Sequence, residues 1–157
     1  MVSLGPLVAV SGASGASDAG AAKAGRAVKA GKAYTRPHLP GPFAFEVLDV
    51  LDGDTFRARI PVWLDQHVVV KIRLRDIDTP EMNGKCAAEK TLAVEARAFA
   101  ANWLAQDGLR LVNVSYGTYA GRVLATPQTP QGATLSDALL AAGLAKPYRG
   151  RKANWCA

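Results

Sequence analysis

Two stretches of alternating polar and apolar residues do most to constrain the fold of this chain. One runs from Thr55 to Ile60 and the other from His67 to Ile77. Alternation with a period of two is typical of strands that bury one face. In the second stretch the apolar face consists of Val68, Val70, Ile72 and Leu74. The opposite, basic face consists of Lys71, Arg73 and Arg75. Pro80 then ends the strand, because proline cannot continue a hydrogen-bonded ladder.

The remaining segments extend this pattern to an α+β, mainly β domain. Further strands are predicted over 43–50, 109–116 and 121–126, and helices over 86–106 and 137–144. The first helix repeats Leu92, Glu95 or Ala96, Phe99 and Trp103 at helical spacing, and Thr134 and Ser136 are expected to cap the second. Three strands, a helix, two strands and a helix are the order expected of a five-stranded OB-fold barrel with two or three helices packed outside it.

The first 42 residues differ in composition from the rest. They are rich in Ala, Gly and Ser, carry five basic residues against one acidic residue, and contain almost no large apolar residue after Val10. Such a segment cannot bury enough surface to offset its ordering entropy. We therefore predict a disordered, low-complexity basic tail over 1–42 and a folded domain over 43–157. An apolar start followed by small residues leaves open that the tail is the remnant of a signal segment.

The charge favours a polyanionic partner. The net charge is +6, and nucleic acid is the commonest polyanion, although plain solubility is an alternative explanation. The two histidines, His38 and His67, lie far apart and there is no Cys-x-x-Cys spacing, which argues against a zinc site or a Ser/His/Asp triad. No apolar run approaches the ~20 residues of a membrane span, so we expect no membrane partner.

The two cysteines, Cys86 and Cys156, form either one disulfide or two free thiols. We expect the disulfide, since closing a long loop stabilises a fold and would hold the end of the chain against the domain. A disulfide favours a periplasmic or secreted protein, although a cytoplasmic location stays open.

Three carboxylates and an arginine mark the predicted chemistry. Asp54 follows a glycine turn between two strands, so its carboxylate can project from the barrel rim. Asp78 and Glu81 flank Thr79-Pro80, where proline fixes the backbone. Carboxylates hold hard divalent cations and orient or deprotonate water, and the guanidinium of Arg73 can hold a phosphate with two hydrogen bonds. The simpler interpretations are turn residues, an acidic cap before a helix and a surface arginine.

In order and spacing, these residues resemble the staphylococcal nuclease (thermonuclease) family. The matching motifs are Asp52-Gly53-Asp54-Thr55, Arg73 with Asp78-Thr79-Pro80-Glu81, Tyr119-Ala120-Gly121-Arg122, and Ala138-Leu139 with Gly143-Leu144-Ala145. Each motif is modest, but their common order is specific, and the resemblance covers about residues 45–148. It implies an OB-fold nuclease.

The resemblance also implies a role for individual residues. Asp54, Asp78 and the carbonyl of Thr79 would bind calcium, and Glu81 would assist the attacking water. Phosphate binding and transition-state stabilisation would come from Arg73 and Arg122.

Three further residues are candidates for substrate binding. Tyr119 and Tyr148 match family tyrosines near the nucleotide only approximately, because Tyr119 is one residue further from Arg122 than the family pattern has it. Arg75 lies on the face of Arg73 and could also contact phosphate. Asp76 is expected to share the face of Asp78 and to add negative charge near the metal.

The function that the resemblance implies is a monomeric, calcium-dependent endonuclease that hydrolyses DNA and RNA and leaves 3′-phosphates. The alternative is a non-catalytic OB-type module that binds nucleic acid. Such a module would be expected to lack at least one of the five charged residues assigned to calcium, water or phosphate. None of them is missing: Asp54, Asp78, Glu81, Arg73 and Arg122. A third possibility, a secreted structural domain, would leave these charges without a purpose.

Overall fold

The computed structural model of the protein describes residues 38–119 and 121–156. The predicted tail therefore lies outside the described residues up to residue 37, and its disorder stays a prediction. The helices are α1 (Ala87–Leu104) and α2 (Leu135–Ala141). The strands are β1 (Glu46–Asp52), β2 (Thr55–Trp63), β3 (Gln66–Leu74), β4 (Ile77–Asp78), β5 (Arg110–Tyr116), β6 (Arg122–Gln128) and β7 (Lys146–Pro147). In the part of the chain that is described, neither helix combines the length and apolar character needed to cross a membrane.

Five of these strands form one sheet in the order β1-β2-β3-β6-β5. Neighbouring strands are antiparallel except for β3 and β6, which are parallel. The segment before β1 reaches β5 through the isolated bridges Leu39–Val114 and Phe43–Leu111. Isolated bridges, rather than a ladder, thus link the two sheet edges. The predicted α+β, mainly β class with an OB-like fold is confirmed, but the sheet does not close into a complete barrel.

The alternation predicted for β3 holds where the strand is covered on one face. Ile72 and Leu74 are fully buried, and Arg73 between them is only partly buried on the opposite face. Val68 departs from the prediction, because it is 44% exposed. β3 pairs with β6 only over Lys71–Leu74, so the outer part of the β2–β3 hairpin extends past this pairing.

Helix α1 buries a stripe that shares only Ala96 with the predicted one, and Glu95 is exposed. Ala93, Ala96, Ala100 and Leu104 face the interior, whereas Leu92, Phe99 and Trp103 are only partly buried at the side of this stripe. Small side chains let the helix approach the sheet closely. A Cβ on Gly53 would lie 2.7 Å from the Cβ of Ala96 and 3.1 Å from Cγ2 of Thr79. Glycine at position 53 therefore allows the β1–β2 turn to pack against α1 and Thr79.

The single strand predicted over 67–77 is divided into β3 and β4. Asp76 has a φ of 61°, and this left-handed residue interrupts the alternation. β4 then pairs with β7, with Asp78 opposite Lys146. The pairing brings the C-terminal part of the chain to the exit of β4, which the sequence did not predict because β7 has only two residues and one is Pro147.

Helix α2 begins at Leu135, two residues earlier than predicted, and ends earlier at Ala141. The predicted cap is confirmed for Thr134, whose Oγ1 accepts a hydrogen bond from the Asp137 N–H at 3.1 Å. Ser136 is wrong as a cap, because it lies inside the helix and is buried.

Candidate active site

Two buried carboxylates face a single arginine at the centre of the site. Asp54 precedes β2 and Asp78 ends β4, and they are 3% and 2% exposed. Nη1 of Arg73 lies 2.8 Å from Oδ2 of Asp54, and Nη2 lies 3.3 Å from Oδ1 of Asp78. The fold thus brings together three residues that the sequence predicted as one site.

Both oxygens of the Asp54 carboxylate have a partner, but these contacts do not fully offset the cost of burying its charge. Its Oδ1 accepts a hydrogen bond from Oγ1 of Thr55 at 2.8 Å, and its backbone carbonyl accepts the Leu74 N–H at 2.8 Å. Burial raises the pKa of the Asp54 carboxyl, and the favourable charge of Arg73 opposes this shift without cancelling it. A further positive charge beside Asp54 would therefore stabilise its ionised form.

Asp78 is held from a part of the chain far away in sequence. Its Oδ2 accepts a hydrogen bond from the Ala153 N–H at 2.9 Å, and Nη2 of Arg73 also reaches the Ile77 carbonyl at 3.4 Å. Thr79, whose carbonyl is the third predicted calcium ligand, is 2% exposed next to it. The carboxylates of Asp54 and Asp78, which are donors that a hard cation prefers, therefore belong to one recessed region.

The third carboxylate of the motif, Glu81, pairs with a lysine that the sequence analysis missed. Nζ of Lys152 lies 2.5 Å from Oε1 of Glu81. The pKa of the Asp52 carboxyl is raised, mainly by burial and next by the negative charge of Glu81. Asp52 and Glu81 consequently lie within electrostatic reach of each other on one side of the site.

These groups border a cleft of about 430 Å³. The predicted site residues that line it are Arg73, Arg75, Glu81, Tyr119, Arg122 and Tyr148. The predicted calcium ligands, Asp54, Asp78 and Thr79, are not among the lining residues. Arg73, which lines the cleft and contacts both aspartates, therefore links the recessed carboxylates to the open cleft.

Tyrosine rings flank the two arginines assigned to phosphate. The Cζ of Arg73 lies 5.9 Å from the ring centroid of Tyr148, and that of Arg122 lies 5.6 Å from the ring of Tyr119. Such contacts orient a guanidinium group without using all of its hydrogen-bond donors. Both tyrosine residues are exposed, Tyr119 at 70% and Tyr148 at 43%.

Arg75 and Asp76 differ from the other predicted residues. Nη2 of Arg75 donates to the Asn113 carbonyl at 2.6 Å and to Oγ of Ser115 at 2.8 Å, so its guanidinium is already engaged with β5. The expectation that Asp76 shares the face of Asp78 is wrong, because the positive φ of Asp76 turns the chain and its side chain is exposed.

A disulfide joins Cys86 to Cys156, as expected from the sequence. In the described residues the one close group of three potential metal ligands is Cys86, Glu89 and Cys156. Because the two sulfur atoms are bonded to each other, neither is a thiolate, and this group lacks the donors of a thiolate metal site.

Sequence reasoning missed Lys152, Glu89 and the Ala153 N–H. One available signal was the cysteine pair itself. Cys86 follows Glu81 closely, so a bond from Cys86 to Cys156 places the residues before Cys156 beside Glu81.

Comparison with known families agrees with this geometry. A family model described as staphylococcal nuclease homologue matches residues 71–155, which include Arg73, Asp78, Glu81 and Arg122. Asp54 precedes the matched region, and its contact with Arg73 joins it to the site. A comparison with curated proteins gives no match. Proteins of the matched family act on nucleic acids and are typically metal-dependent. The chain belongs to the family of staphylococcal nuclease homologues.

Proposed function

We propose that this protein is a calcium-dependent endonuclease that hydrolyses phosphodiester bonds in DNA and RNA and leaves 3′-phosphates. The observation that carries the proposal is the pair of contacts from Arg73 to the buried carboxylates of Asp54 and Asp78, beside a cleft lined by Glu81 and Arg122.

The donor set suits a hard cation. Asp54, Asp78 and the Thr79 carbonyl would hold it through oxygen atoms alone, which favours calcium over softer metals. Burial of Asp54, which raises the pKa of its carboxyl, supports the same assignment because a cation would offset that cost. When bound, calcium would supply positive charge that stabilises the phosphate during cleavage.

The chain's own residues would supply the other requirements of phosphodiester hydrolysis. Glu81 would orient a water molecule and accept its proton, and Arg73 and Arg122 would bind the phosphate and stabilise the charge that develops on it. Both arginines line the cleft with Glu81, which supports this division of roles.

Activity on both DNA and RNA follows from what the cleft would contact. Arginine contacts to phosphate do not depend on the sugar, and phosphate is common to the two polymers. The exposed rings of Tyr119 and Tyr148 lie beside these arginines and offer faces on which any base can stack. Neither type of contact selects a base sequence.

We also propose that the protein acts as a monomer in the periplasm or outside the cell. The Cys86–Cys156 disulfide supports this location, because disulfides persist in oxidising compartments and are rare in the reducing cytosol.

The proposal is tested by comparing Asp78→Asn with Asp107→Asn in the release of acid-soluble nucleotides from DNA and RNA in calcium. Asp78 is buried against Arg73, whereas Asp107 is exposed and does not line the cleft, so the two variants make the same chemical change inside and outside the site. Asp78→Asn should lose most of the activity and Asp107→Asn should keep it. Binding of nucleic acid by the wild-type protein without any hydrolysis would instead support the non-catalytic module.

A further inference from the structure

We propose that Lys152 is a positioning residue for Glu81, so that the C-terminal segment 152–156 forms part of the active site. The proposal rests on the proposed function, in which Glu81 acts on the attacking water. It concerns a residue that lies outside every motif on which the family resemblance was based.

The ion pair alone would be a weak argument. The side chains of Lys152 and Glu81 are 67% and 40% exposed, and exposed pairs usually contribute little because two flexible side chains must be ordered. Such a pair gains influence when the backbone on both sides is already fixed. Both sides of this pair are fixed.

The segment that carries Lys152 is held at each following residue. The Ala153 N–H donates to Oδ2 of Asp78 at 2.9 Å, and Nζ of Lys146 donates to the Asn154 carbonyl at 2.8 Å. Nζ of Lys146 also lies 4.3 Å from the ring centroid of Trp155, and the disulfide fixes Cys156.

The loop that carries Glu81 is held by the first turn of α1. The Glu81 N–H points to Oε1 of Glu89 at 3.4 Å, and the Lys85 N–H donates to Oε2 of the same carboxylate at 2.9 Å. A Cβ on Gly84 would lie 2.5 Å from Cγ of Glu89, so the loop lies directly against this side chain.

The disulfide joins these two supports. Cys86 is the N-cap of α1, and Glu89 lies in its first turn. Sγ of Cys156 is 3.7 Å from Oε2 of Glu89. Loop 81–85 and segment 152–156 therefore attach to the same end of one helix, which fixes the spacing between Lys152 and Glu81.

The consequence is a carboxylate with one oxygen held. Lys152 contacts Oε1, and within residues 38–119 and 121–156 the other oxygen, Oε2, has no protein partner. Both residues line the cleft. The contact with Lys152 limits the rotation of the carboxylate and leaves Oε2 to act on water. Lys152 would thus serve as the group that orients a general base.

The test compares Lys152→Met with Arg151→Met and Lys152→Arg under saturating calcium. Lys152→Met should lower kcat about tenfold and change KM by less than about twofold, because part of a general-base effect is lost while substrate binding is not. Lys152→Arg should recover most of the loss, since it restores a cationic donor. Arg151→Met removes the neighbouring exposed charge and should behave as wild type.

A double-mutant cycle with Glu81→Gln separates positioning from other roles. If Lys152 acts through Glu81, Lys152→Met should cause no further loss in the Glu81→Gln background. The positioning role is overturned if Lys152→Met raises KM at unchanged kcat or increases kcat. It is also overturned if Lys152→Met lowers kcat by the same factor in the Glu81→Gln background as in the wild type, or if Arg151→Met lowers kcat as much as Lys152→Met does. These results require an active wild-type protein, whereas an inactive wild type would overturn the proposed function itself.

Discussion

Arg73 contacts Asp54 through a 2.8 Å interaction between Nη1 and Oδ2. The arginine assigned to phosphate thus partly compensates the charge of the carboxylate assigned to calcium. A cation at Asp54 and a phosphate at Arg73 each compete with this contact, so each should favour binding of the other. This coupling links the recessed carboxylates to the cleft and underlies the predictions for the site.

The three arginines of the cleft should not be equivalent. Arg73→Ala and Arg122→Ala should each lower turnover by about 100-fold or more, because each removes charge from the transition state of phosphoryl transfer. Arg75→Ala should cost far less, since its guanidinium is engaged with Asn113 and Ser115 on β5. Steady-state kinetics on one DNA substrate measures all three, and a larger loss for Arg75→Ala than for Arg73→Ala would show that the roles on this strand are misassigned.

Asp54→Asn should weaken calcium binding. The substitution keeps an acceptor for Thr55 but removes the buried charge that would compensate the cation. Calorimetric titration with calcium should show a loss of affinity of about tenfold or more, because losing even a group that only orients a metal ligand has an effect of this size. The matched control is Asp49→Asn, which changes an exposed aspartate paired with Arg57. Equal affinities for Asp54→Asn and the control would contradict the assignment of Asp54.

The raised pKa of Asp54 predicts a pH dependence of stability in the presence of a chelator. Burial raises the pKa of this carboxyl above its ordinary value of 3.8, so the folded protein binds its proton more tightly than the unfolded chain does. The stability associated with this group is therefore present at low pH and is lost as the pH rises through the raised pKa.

Denaturant unfolding of the wild type and of Asp54→Asn at a series of pH values checks this sign. The free energy of unfolding of the variant relative to the wild type should increase with pH above 3.8. Parallel pH profiles for the two proteins would show that Asp54 titrates normally in the fold.

The disulfide should contribute substantially to stability. It spans 70 residues, and a loop of this length corresponds to about 4 kcal/mol in the chain-entropy model. The double variant Cys86→Ser, Cys156→Ser should have a free energy of unfolding that is lower by up to this amount, measured by denaturant unfolding. Intact-mass measurement with and without reductant establishes the bond, and two free thiols in protein from an oxidising compartment would remove both the bond and the basis for the proposed location.

Much of the site could be predicted from sequence because local patterns determine it. The alternation around Ile72 and Leu74 places Arg73 on the opposite face, and the turn at Gly53 places Asp54 at the start of β2. Pro80 ends the strand beyond Asp78. These features depend on neighbouring residues, so periodicity and turn chemistry predict them.

The parts that could not be predicted depend on contacts between distant segments. The left-handed backbone at Asp76, which divides the strand, has no strong local signal. The approach of α1 through alanines such as Ala96 depends on the space left by Gly53. The two-residue strand at Pro147, which returns the chain to the site and places Lys152 beside Glu81, is too short for any periodicity.

Calcium-dependent hydrolysis at this site can be tested by titrating calcium into chelated protein. Wild-type protein is treated with excess chelator, mixed with DNA or RNA, and titrated with calcium while acid-soluble nucleotides and the phosphate position of the new ends are measured. We expect no release of nucleotides in chelator, restoration of release by calcium, and products with 3′-phosphates. Full activity in chelator, or activity restored only by zinc, would contradict it.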